Sequence, residues 1–532
     1  MSATEITGNA TDTFTNEPVL EFRRSEVRDR ALAALAELDT RLPLEVPMSI
    51  GTELVRGEAF ASVDPCAPER VVAHAHAATA AHVDLALTRA QHGQRDWGAR
   101  SAAERAATLR TAAEVMRSRR LELAALAVRE CGKPWIEADG DVCEAIDFLM
   151  YYAAGAEELG RGRALIQLPG ERNTMKYVPR GVTAVIAPWN FPLAIACGMA
   201  SAALATGNAV VLKPAEQAPA CAQAVVDALH AAGVPHDALA LLPGGDEPGR
   251  ALVADPRVHT IVFTGSCAAG LSILESANRV DVNEQFHIKK VVAEMGGKNV
   301  IVVDGDADLD DVVPAVLSSA FGFAGQKCSA ASRVLVVDSV ADALVERLAG
   351  AVRTLQVGPA EDFATDVPAV IDAAAQMRVR RYIAQGAPHA TRVAAASDGL
   401  PEGDGYWVAP TLLYGLPDEH PVVQEEVFGP LLAVQSVPSI AAACDAVDAS
   451  RFALTGGLFS RSPRTVEEVA ARTPVGNLYV NREITGAMVG RQPFGGGRLS
   501  GTGPKAGGPD YLLQFVEARA VTENTVRHGL VV

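Results

Sequence analysis

After Arg180-Gly181 the chain alternates strand and helix so regularly that few architectures remain open to it. Residues 182–187 are β-branched and apolar, and Pro188-Trp189-Asn190-Phe191-Pro192 ends that run with a turn. A helix follows, with Pro192 expected in its first turn, where a missing N–H is no loss, and Gly207-Asn208 closes it. Residues 209–213 read as the next strand, 218–232 as a helix ended by Gly233, and 238–242 and 259–263 as two further strands. Repeated β-α-β units of about 30 residues imply a mostly parallel, doubly wound sheet covered by helices. Ligands of such sheets lie beyond the carboxyl ends of the strands.

A second alternation follows, with a strand at 299–303, a helix at 309–323 and a strand at 333–337. A chain of 532 residues is too long for one ordinary core, so two or three domains are expected. Upstream, 19–45 reads as a charged helical stretch and 46–65 as a short strand pair. Residues 79–138 and 141–159 carry apolar positions at helical spacing. The run 191–212 is interrupted by Gly198, Ser201, Thr206, Gly207 and Asn208, so it reads as a buried helix and strand and not as a membrane span. Residues 521–526 form a strand-like tail that needs an edge to pair with, and a neighbouring subunit is expected to offer one.

Bulk composition excludes some functions. A net charge of −17 argues against a nucleic-acid partner, whose affinity rests on clustered Lys and Arg. The eight cysteines are scattered, with no CxxC and no Cys-His cluster, so reduced thiols and no bound metal are expected. The first residues lack a basic leader with an apolar core and carry Glu5 and Asp12, so a cytoplasmic location is expected.

Chemistry concentrates in two motifs. Cys328 sits among small residues in Gly325-Gln326-Lys327-Cys328-Ser329, and Glu294 lies upstream in Glu294-Met295-Gly296-Gly297-Lys298-Asn299. Alone, a cysteine is usually a small buried hydrophobe, and a glutamate at a strand end is usually a solvated carboxylate. Together a thiol nucleophile and a carboxylate base are what covalent thioester chemistry requires.

Six segments in this order resemble the aldehyde dehydrogenase superfamily over about residues 50 to 525. They are Ala187-Pro-Trp-Asn-Phe-Pro192, Lys213-Pro-Ala-Glu216, Phe263-Thr-Gly-Ser266, Glu294-Met-Gly-Gly-Lys298, Gly325-Gln-Lys-Cys328 and Glu425-Glu-Val-Phe-Gly-Pro430. The stretch 476–495, with Leu499-Ser-Gly-Thr-Gly503 and Gly507-Gly-Pro-Asp-Tyr511, is similar to the monofunctional branch that oxidises L-glutamate γ-semialdehyde in proline degradation. Residues 16–22 and the insert between Gly270 and Lys290 are similar to that branch too.

The resemblance implies an α/β fold with a Rossmann-type NAD domain (46–160 and 181–293) and an α/β catalytic domain (294–495). It also implies a small β oligomerisation flap (161–180 and 505–532), preceded by an N-terminal arm (1–45). It implies Cys328 as nucleophile, Glu294 as the base for hydrolysis and Asn190 as oxyanion donor beside the Cys328 amide. For NAD it implies Lys213 and Glu216 at the adenine ribose, with the carboxylate repelling a 2′-phosphate. Ser266, Gly245 and Gly249 would lie near the pyrophosphate, with Pro188 and Trp189 beside the cofactor, and Glu426 and Phe428 would hold the nicotinamide ribose. Pro243 stands where the superfamily often has a glycine. For the substrate it implies amides of the loop Thr485-Gly486-Ala487 and the Ser329 hydroxyl at the α-carboxylate. Phe191 and Phe494 would pack along the methylenes, and Glu144 would lie near the ammonium. A homodimer or dimer-built hexamer is expected, with transient contact to a proline dehydrogenase. From sequence the alternatives stay open: another ω-semialdehyde dehydrogenase such as one for succinate semialdehyde, a CoA-acylating relative, or a non-catalytic NAD-binding protein on the same fold.

Overall fold

The computed structural model describes residues 14–280, 283–397 and 399–526. Two seven-stranded sheets organise it. The first runs, edge to edge, Lys290–Met295, Val258–Gly265, Val182–Ile186, Ala209–Lys213, Leu239–Leu241, Met48–Ile50 and Glu53–Val55. Its first five strands are parallel, and the last two join antiparallel. Ala209–Lys213 is buried at every position, as a central parallel strand must be when helices cover both faces.

The second sheet has the order Arg392–Ala395, Thr411–Tyr414, Leu431–Val437, Ala331–Val337, Asn299–Val303, Thr455–Phe459 and Asn477–Val480. Only its first strand is antiparallel. The chain crosses from one sheet to the other in three residues, Gly296, Gly297 and Lys298. Glu294 is thus placed at the carboxyl end of one sheet's edge strand, in register with Thr264. The apolar faces fill separate clusters, Leu109, Leu149, Leu204 and Leu229 in one and Ile301, Val334, Leu412 and Val434 in another. Burying each such side chain stabilises by roughly 1.5–3 kcal/mol.

Several elements differ from expectation. The helix after Asn190 begins at Ala194 with Leu193 as its cap, so Pro192 lies just before it and not in its first turn. The helical stretch at 19–45 narrows to Ser25–Asp39. The strand pair at 46–65 is instead four strands divided between sheets. Leu44–Val46 joins a three-stranded sheet with Ala67–His76 and Ala59–Asp64, while Met48–Ile50 joins the large one. Pro47 stands at the break, and a residue without an N–H cannot carry a ladder through it. The tail strand begins earlier, at Val516, and its edge comes from this same chain: Val516–Asn524 pairs antiparallel with Glu171–Pro179. Among the described residues no helix is long and apolar enough to cross a membrane.

Candidate active site

Beyond the carboxyl ends of both sheets lies a cavity of about 480 Å³. Cys328, Ser329, Glu294, Asn190, Phe191, Glu144, Gly486, Ala487 and Phe494 all line it, as do Pro188, Trp189, Ser266, Glu426 and Phe428. Loops from two sheets, with the helix Trp135–Gly160 that carries Glu144, bring these residues together across more than 300 positions of sequence.

Cys328 owes its place to a forced turn. After the helix Leu309–Phe321, residues Phe323, Ala324 and Gly325 all adopt left-handed backbone, with φ of 52°, 54° and 67°. Such a run costs energy at the two non-glycine residues. At Gly325 a β-carbon would fall 2.6 Å from the Gly429 carbonyl oxygen, so only glycine fits. Fully buried Gln326 staples the turn: its Oε1 accepts from the Ile371 amide at 2.9 Å. On the far side, Asn299 Nδ2 donates to the carbonyls of Cys328 at 2.7 Å and Ala330 at 2.9 Å, and its Oδ1 accepts from the Thr455 amide. The thiol therefore has fixed backbone on both flanks. Burial pushes its pKa up to about 12, and the carboxylates of Glu426, Glu294 and Glu144 act in the same direction.

Asn190 is buried and its Nδ2 donates to the Gln326 carbonyl at 3.1 Å, which ties the amide to the cysteine loop. The second amide hydrogen remains for a ligand. Glu294 is buried as well, and neither carboxylate oxygen reaches a side-chain hydrogen-bond partner among the described residues. Burial lifts its pKa well above the usual carboxylate range; the Gly496 backbone and the Lys505 ammonium oppose this without cancelling it. It sits against Gly495, where a β-carbon would fall 2.9 Å from Oε1. Such a carboxyl takes a proton more readily than an ordinary glutamate does.

Glu426 packs directly on Gly296 and accepts from the Gly297 amide at 3.1 Å. Burial raises its pKa to about 7. Phe428 adopts φ 54° and meets Trp189 edge-on, with ring centroids 5.7 Å apart. Ser266 caps the helix Cys267–Ala277, its hydroxyl accepting from the Ala269 amide. Gly245 caps Asp246–Ala254, with no atom within 4 Å of where a β-carbon would stand. Two helix N-termini with accessible backbone, at the carboxyl ends of parallel strands, fit the diphosphate of a dinucleotide. Lys213, Glu216, Gly245 and Gly249 are grouped outside the cavity lining. The Lys213 Nζ lies 4.0 Å from Glu216 Oε2, and its stem lies 3.7 Å from the β-carbon position of Gly249.

A family model described as the aldehyde dehydrogenase family matches residues 54–521. The chain belongs to this family. An aldehyde dehydrogenase with 99% of its length covered, the 1-pyrroline-5-carboxylate dehydrogenase of Geobacillus thermodenitrificans, is 40% identical over 96% of this chain. The structure of 1-pyrroline-5-carboxylate dehydrogenase from Thermus with bound NAD superposes with a TM-score of 0.94, at 40% identity over 98% of this chain and 100% of that one. Proline utilization A from Bdellovibrio bacteriovorus gives 0.95 at 43% identity, covering 97% of this chain but 54% of that longer one.

Sequence reasoning missed the buried charges that hold this aldehyde dehydrogenase site. Glu137 and Asp141 lie on the same face of the helix Trp135–Gly160 as Glu144, the one member expected from sequence, a stripe visible at helical spacing. Fully buried Asp141 accepts from the Leu193 and Ala194 amides, fixing the helix that follows Asn190. Lys133 lies 3.5 Å from Asp141, with its ammonium 3.6 Å from the centroid of the Phe191 ring. Lys327, next to Cys328, pairs with Glu137. Asn299 was legible in the motif that carries Glu294, and its bonding partners were not.

Proposed function

We propose that this chain oxidises L-glutamate γ-semialdehyde, the open form of 1-pyrroline-5-carboxylate, to L-glutamate with NAD. One observation carries the substrate assignment. Gly486 has φ 74° and nothing within 4 Å of its β-carbon position, so the loop Thr485-Gly486-Ala487 presents bare backbone to the cavity that holds Cys328. Exposed amides with no side chain in the way suit an α-carboxylate. Glu144 lines the same cavity for the α-ammonium; burial first and then Asp141 raise its pKa to about 8, a strain that a cation would relieve. Phe191 and Phe494 flank the methylenes, and Ser329 adds a hydroxyl.

The Cys328 thiol gives its proton to a water in the cavity as its sulfur bonds to the aldehyde carbon, and the carbonyl oxygen takes up negative charge beside Asn190 Nδ2 and the Cys328 amide. Losing one such donor costs roughly 2.7–4 kcal/mol of transition-state stabilisation. NAD, when bound, accepts the hydride that leaves this adduct. The thioester left on Cys328 is then attacked by a water whose proton Glu294 takes, and the sulfur departs as L-glutamate forms. Lys213 and Glu216 would hold the adenine ribose, and Gly245, Gly249 and Ser266 the diphosphate. Glu426, Phe428, Pro188 and Trp189 would hold the nicotinamide end.

Glutamate semialdehyde should exceed pentanal in kcat/KM by about a hundredfold or more, because two or three charged hydrogen bonds of roughly 1.5–3 kcal/mol each are lost without the α-groups. L-Glutamate should inhibit competitively against the aldehyde. Equal efficiency with pentanal or succinate semialdehyde, without glutamate inhibition, would overturn the substrate assignment.

Cofactor choice rests on Glu216. Its side chain is 55% exposed, so repulsion of a 2′-phosphate is screened and worth about 1 kcal/mol. Glu216→Gln should therefore narrow the NAD/NADP ratio of kcat/KM by roughly fivefold. An unmoved ratio places the discrimination elsewhere.

For assembly, a second copy is proposed to cover the ribbon of Glu171–Pro179 and Val516–Asn524, giving a homodimer or dimer-built hexamer in the cytoplasm. Most of Val516–Asn524 is exposed and Ile166 beside it is 86% exposed, which supports that reading. A proline dehydrogenase supplying the substrate would be a transient partner.

A further inference from the structure

The N-terminal arm meets the substrate loop from outside the cavity. Asn16 Nδ2 donates to the Val489 carbonyl at 2.9 Å and to Asp147 Oδ2 at 2.8 Å. The next amide, of Glu17, donates to Asp147 Oδ1 at 2.7 Å. Phe14 meets Tyr151 edge-on at 5.3 Å, in space that Gly490 leaves free, since a β-carbon there would approach the Phe14 ring at 3.4 Å. The arm is itself anchored, by Glu17 with Arg117 and by the Leu20 amide on Asp139. Val489 lines the cavity two residues beyond Ala487.

We propose that Asn16 is a positioning residue for substrate recognition: it ties the Val489 carbonyl to Asp147 and so sets where the amides of Gly486 and Ala487 stand relative to Cys328. This rests on the reading that the loop grips the substrate's α-carboxylate. The tie acts on the loop and on the helix that carries Glu144, and not directly on the reacting groups, because Cys328, Asn190 and Glu294 are bonded by other elements. Both tasks are donations from the one side-chain NH2 group, which spends one hydrogen on each acceptor. Aspartate at 16 would offer no donor to either acceptor and would set a second carboxylate against Asp147.

The test compares Asn16→Asp and Asn16→Ser with the parent full-length enzyme. The readouts are kcat and KM for glutamate semialdehyde, Ki for L-glutamate, KM for NAD, kcat/KM for propanal and the thermal unfolding midpoint. Asn16→Asp should raise the semialdehyde KM and the glutamate Ki together by about tenfold, with kcat within about twofold and the propanal and NAD parameters unmoved. Asn16→Ser, which keeps one hydroxyl donor, should fall between, and it carries the test alone if the aspartate variant does not fold. Unchanged KM and Ki in a folded variant overturn the proposal. So does a loss shared equally by propanal, which means general support of the fold. If the parent enzyme does not prefer the semialdehyde over propanal, the substrate reading falls and takes this proposal with it. A retained preference with unmoved variants removes this proposal only.

Discussion

A Cys328→Ala enzyme is expected to bind NAD with unchanged affinity and to lose aldehyde oxidation by at least about four orders of magnitude. Cys328 is the one cysteine lining the cavity among the described residues, and its neighbour Ser329 offers a hydroxyl that is far harder to ionise. The turn that carries it is held by Gly325, by Gln326 on the Ile371 amide and by Asn299 on the Cys328 carbonyl, bonds that do not use the sulfur. Removing one sulfur should therefore leave the fold and the nucleotide site alone. Single-turnover NADH absorbance reads the chemistry and titration of intrinsic fluorescence reads NAD binding. Turnover above about one per cent of the parent would remove Cys328 as the nucleophile.

What the sequence displayed was local, and what it hid was pairing. The strands Ala209–Lys213 and Asn299–Val303 stand at the residues expected, because runs of apolar residues with turn residues at both ends have no other use in a parallel sheet. The helix expected at 309–323 stops two residues early, at Phe321. Its apolar pattern continues through Phe323, but packing against Gly429 and the staple from Gln326 to Ile371 wrench the backbone left-handed there. Nothing in a window around Phe323 encodes Gly429.

The site divides the same way. Residues proposed to carry the chemistry lie in short motifs at strand ends, so Cys328, Glu294, Asn190 and Glu426 are legible in the sequence alone. Lys133, Asp141 and Gln326 act through partners far away in sequence: Asp141 caps amides at 193 and 194, and Gln326 holds Ile371. An aspartate within a helix reads as a solvated face until the element it caps is known. The tail strand is the mirror case, since its shape was visible and the owner of its partner edge was not.

Glu294→Gln is expected to separate the two halves of the reaction. Acylation needs Cys328, the oxyanion donors and a cavity water to carry off the thiol proton, so a burst of about one NADH per site should survive, whereas steady turnover should fall by about 10²–10⁴, the worth of a positioned general base. The parent enzyme should lose deacylation as pH falls below the raised pKa of Glu294, because the buried carboxyl is then protonated and cannot accept from water. The glutamine variant should show no such acid limb. Folding supplies the control. A carboxyl with a folded pKa above its unfolded value costs stability as pH rises from the ordinary carboxylate range through the raised value, so the uncharged amide should unfold at the same temperature or higher near neutrality. Hydroxylamine, which attacks thioesters without a base, should restore turnover to the variant if acyl-enzyme accumulates. Loss of the burst itself, with no rescue by hydroxylamine, would move Glu294 from hydrolysis to activation of the thiol, where a resting pKa of about 12 makes a proton acceptor equally necessary.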